Sequence, residues 1–495
     1  MNVHLMYPDT DFNIKEDLSE EEKILVEDLQ LEPIFHTMGS GSEFIYSVVK
    51  VGILSPLTEK ETILYRQEVV KDVFSNLDTI EKLYVLSKEA RDAEKKSRFG
   101  FFTHYLGGVL YSSIELMRLL LDLLKRLREI AIENRGNFSS LGFKNLFEEI
   151  IRELTPEYFK EIEMHLKNLE FKDGISLSAA LGRGNKGINY TLLRPQEKKN
   201  NLINRIFSKR EPSYTFTIDE RDESGERALS EIREKGINSV TNALAQSVEH
   251  ILHYFDTLKT ELAFYIGVSN LYTYLEALGA PTCFPKVLSR NEKTYIFSDL
   301  YDPALTITLK KKAVGNTLNA KDKNLFIITG ANQGGKTTFL RSIGIAQLMM
   351  QAGIFVSAKE FQGPIQKGIF THFRKEEDRD MESGKLDEEL KRISQIIGKI
   401  TPNALILFNE SFSSTNEKEG GEIANQIVSA LVESGITVFF VTHMYTFSFS
   451  LYKEKRKDTL FLHAERDSDG TRTFKIVEGP PQRTGYAKDL LKGGI

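Results

Sequence analysis

Nine consecutive residues carry the clearest chemistry in this chain: Gly330, Ala331, Asn332, Gln333, Gly334, Gly335, Lys336, Thr337 and Thr338. The glycines let the backbone curl so that its N–H groups point inward at phosphate oxygens. Before them runs a short strand of apolar and β-prone residues over 325–329. After them, a helix over about 336–351 adds its positive N-terminal end. Lys336 can reach the β- and γ-phosphates of a bound nucleotide, and the Thr337 hydroxyl can ligate Mg²⁺.

Such a loop needs a polar strand end nearby to organise the metal and the attacking water. The apolar run 404–408 ends in Asn409 and Glu410. Glu410 is placed to polarise water, as general base or as orienter. Asn409 stands where an aspartate is usual. Its amide oxygen can accept a hydrogen bond from Thr337 or from metal-bound water, but it brings no negative charge. Weaker Mg²⁺ organisation is expected, with nucleotide binding kept. A third apolar strand, 437–441, leads to His443, which can hydrogen-bond a γ-phosphate and report its presence. Two loops add candidates. Ser414 and Thr415 lie in the hydroxyl-rich stretch after Glu410. Ser383 and Gly384 precede a helix over about 386–399, as plain loop residues or as donors to a phosphate on a facing subunit.

These residues need an α/β sheet to hold them, and 286–495 alternates strands and helices accordingly. Its end reads as a hairpin, 459–463 and 473–477, around Asp469-Gly470. The earlier chain is different. Apolar residues three or four apart mark helices over 20–29 and 61–70. A long helix is expected over 105–134, with a stripe of Leu106, Val109, Leu110, Ile114, Met117, Leu121, Leu124 and Leu127 widened by Leu119, Leu120 and Leu123. Helical sequence continues over 143–169, restarting at Pro156. From Gly174 the pattern changes to two strands, 175–179 and 188–193, around a turn at 182–187, with a third strand at 214–218. A long amphipathic helix over 228–278 follows and ends at a boundary, 279–285.

The expected fold is mixed. A helical core (1–173) and lever helices (228–285) flank a small β-containing, clamp-like insertion (174–227), and an α/β phosphate-loop domain (286–495) comes last. Within 183–210 lie Arg183, Lys186, Arg194, Lys198, Lys199, Arg205, Lys209 and Arg210 against the single acid Glu197. Two readings stand for this cluster: sequence-blind contacts to nucleic-acid phosphates, or a solvated hairpin and loop. The acidic run 219–226 that follows weakens the first unless it folds away.

Composition sets outer bounds. With 41% hydrophobic and 27% charged residues, the balance is that of a soluble globular protein. A net charge of −5 excludes a uniformly basic surface but allows a local basic patch. The single cysteine, Cys283, excludes an intrachain disulfide and fits a reducing compartment. No apolar window is long enough to span a membrane, and the first residues lack a signal-peptide pattern, so a cytoplasmic location is expected.

Taken together, these residues resemble the MutS family of DNA mismatch-repair ATPases, relatives of the ABC ATPases. The family's loop, Gly-Pro-Asn-Met-Gly-Gly-Lys-Ser-Thr, is matched over 330–338, with Asn332 retained. Asn409 and Glu410 occupy its Asp-Glu position, Thr415 and Gly420 match the loop beyond, and Thr442-His443 matches its Thr-His. Residues 485–487 resemble its closing segment, and 300–305 resemble its Arg-His-Pro element. Ser414 and Asn416 depart from the pattern, and the region of Ser383 lacks the family's Ser-Thr-Phe. Phe147-Glu148-Glu149 fits the letters of the family's mismatch wedge but lies in helical sequence. The chain resembles a divergent, short member without the family's N-terminal mismatch-reading and connector domains.

The resemblance implies ATP and Mg²⁺ as cofactors, double-stranded DNA as partner and a homodimer whose sites are completed across subunits. Three readings follow: a DNA-clamping ATPase, a nucleotide-gated binding module that turns over slowly because of Asn409, or an ABC-type ATPase acting on a protein partner.

Overall fold

The computed structural model describes residues 1–14, 17–99, 106–172, 174–193, 214–219, 221–375, 384–467 and 471–482. Helices come first: α1 (Glu20–Leu29), α2 (Glu32–Gly39), α3 (Glu43–Leu54), α4 (Lys60–Ser75), α5 (Leu77–Phe99), α6 (Leu106–Asn134), α7 (Leu141–Glu153) and α8 (Pro156–Leu169). Their starts are chemically marked. Ser19 and Glu22 form a reciprocal capping box on α1, and Thr155 caps α8 ahead of Pro156. A hairpin of β1 (Leu177–Leu181) and β2 (Gly187–Leu192) precedes α9 (Glu223–Ala277), one helix of 55 residues.

Alternation then takes over. β3 (Lys286–Leu288), β4 (Thr294–Leu300), α10 (Pro303–Leu309), β5 (Asn316–Lys321), β6 (Leu325–Thr329) and α11 (Lys336–Gln351) lead to β7 (Glu360–Pro364), β8 (Ile369–Phe373) and α12 (Lys385–Ile397). β9 (Leu405–Asn409), α13 (Glu417–Glu433), β10 (Thr437–Val441), α14 (Tyr445–Glu454), β11 (Thr459–Arg466) and β12 (Arg472–Glu478) complete the mixed α/β fold. Among the described residues, no helix is long and apolar enough to cross a membrane.

The chain forms two compact units. The first comprises Met1–Val3, Glu81–Gly136 and Asn145–Lys259. Here α6 buries Leu110, Ile114, Met117, Leu120, Leu121, Leu124 and Leu127, whereas Val109 and Leu119 are exposed. The stripe is narrower than expected because Leu119 lies about 200° around the helix from both Met117 and Leu121. Ion pairs join neighbouring helices: Arg91 Nε to Asp256 Oδ2 at 2.7 Å, Arg126 Nη1 to Glu89 Oε2 at 2.6 Å and Lys125 Nζ to Glu163 Oε1 at 2.6 Å. β1 and β2 pair antiparallel, with a register irregularity between Ser178 and Ala180.

The third strand expected at 214–218 is not formed. Among the described residues these pair with no strand, and Tyr214 and Phe216 are 91% and 83% exposed. Alternating β-prone residues make a strand only where an edge accepts their hydrogen bonds. The acidic run has a local explanation. Glu223 and Glu226 sit in the first turn of α9 and Asp222 Oδ1 accepts from Gly225 N, so these carboxylates answer the helix dipole.

The second unit comprises His4–Ile80, Asn137–Lys144 and Thr260–Ile495. Its main sheet has the order β12-β11-β6-β10-β9-β8, parallel except for β12, which runs antiparallel to β11. Every residue of β6 and β10 is buried, the continuous apolar character of strands covered on both faces. Phe326 and Phe439 stack at 4.0 Å between ring centroids, which fixes β6 against β10. A second sheet has the order β3-β7-β4-β5.

The N-terminal segment of this unit, 4–12, has no regular hydrogen-bond ladder and is pinned by side chains. Glu261 on α9, fully buried, accepts from Leu5 N (2.6 Å), Met6 N (3.0 Å) and Phe12 N (2.9 Å). Buried Arg66 donates to the carbonyls of Met6 and Ala352, and Tyr65 Oη donates to that of His4.

Candidate functional site

Register places the chemistry. Val441 of β10 pairs with Ile328 on one side and with Asn409 on the other, so β6, β10 and β9 end level. The residues that follow these ends are Gly330, His443 and Glu410, brought together at the carboxyl edge of a parallel sheet. That edge is where open α/β sheets hold ligands.

The loop between β6 and α11 takes the curled shape its sequence demands. Gly330 and Gly335 have φ of +114° and +89°, and a Cβ on Gly334 would lie 2.7 Å from that of Ala464. Lys336 is almost fully buried and donates to two carbonyls of its own loop, Gly330 O at 2.9 Å and Ala331 O at 2.8 Å. Burial pushes its ammonium down to about 8, with the nearby Glu410 carboxylate opposing. Gln333 Oε1 accepts from Arg472 Nη1 on β12 at 2.8 Å. Asn332 is exposed, and Ala331 is buried. Thr337 Oγ1 donates to Asn409 Oδ1 at 3.0 Å, the pairing expected from the amide.

Glu410 adopts φ +55°, a left-handed conformation, and its N–H donates to Val441 O at 2.9 Å. Its Oε1 lies 2.6 Å from His443 Nε2, a contact the sequence gives no sign of. That hydrogen bond holds the Glu410 carboxyl below the usual range against the effect of burial. The other imidazole nitrogen, Nδ1, is buried with no hydrogen-bond partner among the described residues.

Beyond Glu410, Ser413 Oγ donates to Glu410 O, and Thr415 Oγ1 donates to Glu419 Oε2. Asn416 caps α13 through Glu419 N. Gly420 is required by packing, since a Cβ there would meet Phe412 O. Ser414 is half-buried, its hydroxyl beside the Glu389 carboxylate. Gly384 is the N-cap residue of α12, and Ser383 lies outside the described residues.

A cleft of about 470 Å³ lies over the loop, bounded by Gln333 to Thr338 and Glu410 and walled by Leu305, Leu309, Val314 and Phe474. The apolar wall is the part the sequence did not announce. Its only signals are the 300–305 element and Leu309 and Val314 standing among lysines. Asp302 caps α10 through Leu305 N and forms a buried ion pair with Arg341 of α11 at 3.1 Å, which fixes the wall to the loop's helix.

No group of three or more His, Cys, Asp and Glu able to hold a metal occurs among the described residues. The donors present, a hydroxyl and an amide oxygen, fit a hard cation that takes its charge compensation from phosphates. In the other unit, Arg183 and Lys186 are exposed on the β1–β2 turn. Arg194, Lys198 and Lys199 lie outside the described residues, as do 485–487.

A mixed α/β protein with a glycine-rich loop at the carboxyl edge of a parallel sheet is the class this fold and site define. Two family models match the chain: the MutS2 N-terminal domain over 58–278 and MutS domain V over 326–486. The chain is a divergent member of the MutS family. Similar proteins include human MutS protein homolog 4, 30% identical over 240 residues (48% of this chain, 25% of that protein). Endonuclease MutS2 of Lacticaseibacillus casei is 31% identical over 176 residues (35% and 22%). The DNA mismatch repair protein MutS of Thermotoga maritima is 30% identical over 178 residues (33% and 22%). The matched part is about a quarter of these relatives' own length. The MutS2-type match over the helical half went unread in the sequence, where only helix organisation pointed to the family.

Proposed function

We propose that the protein is a MutS-like, ATP-dependent DNA-binding protein, with ATP bound and hydrolysed at the cleft over 330–338 and hydrolysis coupled to clamping of DNA. The observation that carries this reading is the convergence of Lys336, the Thr337–Asn409 pair and the Glu410–His443 pair on one cleft. Residues 286–495 form its ATPase domain, 1–173 its helical core, 174–227 a clamp-like segment and 228–285 its lever. The names of its relatives, a mismatch repair protein and an endonuclease among them, support DNA as the partner.

Lys336 and the loop amides hold phosphates, and Lys336 exchanges two carbonyls for them. Thr337 and Asn409 would hold Mg²⁺, which supplies charge neutralisation on the phosphates when bound. Glu410 takes a proton from or orients water, and His443 fixes the Glu410 carboxylate and faces the γ-phosphate. The protein acts as a homodimer in a cytoplasmic setting, with Gly384, Ser383, Ser414 and Thr415 near the facing subunit.

A second reading is favoured by Asn409: a nucleotide-gated binding module with slow turnover. Magnesium-dependent release of phosphate from ATP tests the first reading. Release lost in Glu410→Ala supports it, and undiminished release in that variant overturns the role of Glu410.

A further inference from the structure

The loop that carries Glu410 is bent in a way its own residues do not favour. Glu410 and Phe412 both take left-handed conformations, φ +55° and +63°, and neither is glycine. Each such residue costs about 1 kcal/mol or more and persists where surrounding contacts over-determine it. Some of the contacts that do so are local, Glu410 N–H to Val441 O and Ser413 Oγ to Glu410 O, and others come from β8 and α12, outside the cleft.

On α12, Glu389 is nearly fully buried, and its Oε2 accepts from Phe412 N at 3.1 Å. The Ser414 hydroxyl lies beside the same carboxylate, which burial raises above its ordinary range while Ser414, Phe412 N–H, Arg392 and Arg374 favour its charge. On β8, His372 is fully buried. The Ser411 hydroxyl lies 2.7 Å from both His372 Nδ1 and His372 O, and His372 Nε2 lies 3.3 Å from Glu389 O. Burial holds this imidazole neutral, pushed down to about 4, so one ring nitrogen carries hydrogen. A carbonyl can only accept, so the single Ser411 hydroxyl hydrogen goes to His372 O and Nδ1–H donates to the Ser411 oxygen, which leaves Nε2 without a hydrogen towards Glu389 O. Glu389 thus grips the loop by its carboxylate at Phe412, while His372 holds the neighbouring Ser411.

We propose that Glu389 is a positioning residue for Glu410: by fixing Phe412 N–H it ties the setting of α12 to the aim of the Glu410 carboxylate. Glu389 touches neither the cleft nor Glu410 itself. A shift of α12 reaches the water-activating carboxylate through Phe412 N–H, two residues along the bent loop from Glu410. The inference rests on the ATPase reading above for its catalytic consequence, while its geometric consequence stands alone.

The test uses the full chain carrying Glu389→Ala, Glu389→Gln or Glu389→Asp. Steady-state ATP hydrolysis, equilibrium ATP binding and the His443 side-chain ¹⁵N signals of the nucleotide-free protein are measured. Glu389→Ala is expected to lower kcat by about tenfold or more, the scale of a small misplacement of a catalytic group, with ATP affinity within about twofold of the parent. Its His443 signals move, because the partner of Nε2 has moved. Glu389→Gln keeps an acceptor for Phe412 N–H and retains most of kcat. Glu389→Asp, whose shorter side chain draws the carboxylate back from Phe412 N–H, lowers kcat by a smaller factor and moves the same signals, so the idea remains testable where Glu389→Ala does not fold. Parental kcat and unchanged His443 signals in Glu389→Ala overturn the proposal, as does a Glu389→Gln protein as slow as Glu389→Ala. Should the parent hydrolyse no ATP, the ATPase reading fails, and the His443 signals still decide whether Glu389 positions Glu410.

Discussion

Glu410 Oε1 and His443 Nε2 are joined by a 2.6 Å hydrogen bond. The sequence assigns them separate tasks, one to water and one to the γ-phosphate. Joined, they form a unit in which the imidazole N–H aims the carboxylate. Glu410→Ala should lower single-turnover phosphate release by about 10²-fold to 10⁴-fold, the usual contribution of a positioned base. His443→Ala should lower it by less and leave ATP affinity nearly unchanged. A His443→Ala protein that binds ATP poorly but turns over normally would assign the histidine to binding.

Asn409 is the second lever. Asn409→Asp puts a carboxylate where Thr337 Oγ1 now donates to an amide. The half-saturating Mg²⁺ concentration should fall by about fivefold to tenfold, the ~1 to 1.4 kcal/mol that one added charge supplies in a part-solvated site. Hydrolysis measured across a Mg²⁺ titration reads this directly. No change in either quantity would show that the amide already serves.

Glu261 gives a pH-dependent prediction far from the cleft. Burial raises its carboxyl from the ordinary 4.5 to about 7, against three backbone N–H donors that favour the charged form. The folded protein therefore binds a proton that the unfolded chain releases. The stabilisation is fully present below about pH 4.5 and falls away as pH rises to about 7, by roughly 3 kcal/mol in all. Glu261→Gln removes this dependence. It also turns an amide NH₂ towards backbone donors, leaving an N–H unsatisfied at a cost of about 1–3 kcal/mol. The gap in melting temperature between parent and variant should shrink as pH rises through that window. A gap that widens would place the Glu261 proton elsewhere.

DNA binding is to be read against salt. The exposed Arg183 and Lys186 sit on the hairpin turn. If both contact phosphates, replacing them with alanine should reduce the slope of log affinity against log salt by about 2, whatever the duplex sequence. Absence of duplex binding by the parent at low salt would sink the DNA reading.

How legible each part was depends on how local its cause is. The runs 325–329, 404–408 and 437–441 read as buried strands because both faces are covered, and the loop reads from spacing alone. Gly420 could be matched to a pattern, but its reason, the Phe412 carbonyl, required the fold. The strand expected at 214–218 failed for the converse reason: its residue types were right, and among the described residues no edge pairs with it. Contacts across the sheet, such as Glu410 with His443 or Glu389 with Phe412, depend on register and crossover order, which no local pattern encodes. Glu261 looked like any charged residue in an amphipathic helix, because its partners are backbone groups some 250 positions away.

Lys336 at rest is bonded to the carbonyls of Gly330 and Ala331. An incoming ligand must outbid two short internal bonds before it gains the lysine. A neutral sugar or base offers nothing that compensates, whereas a chain of phosphates brings formal charge into a site already short of it. Lys336 is itself buried, whereas Lys311, which lines the same cleft, is exposed, so the cleft offers an anion an accessible cation beside one that must first be released.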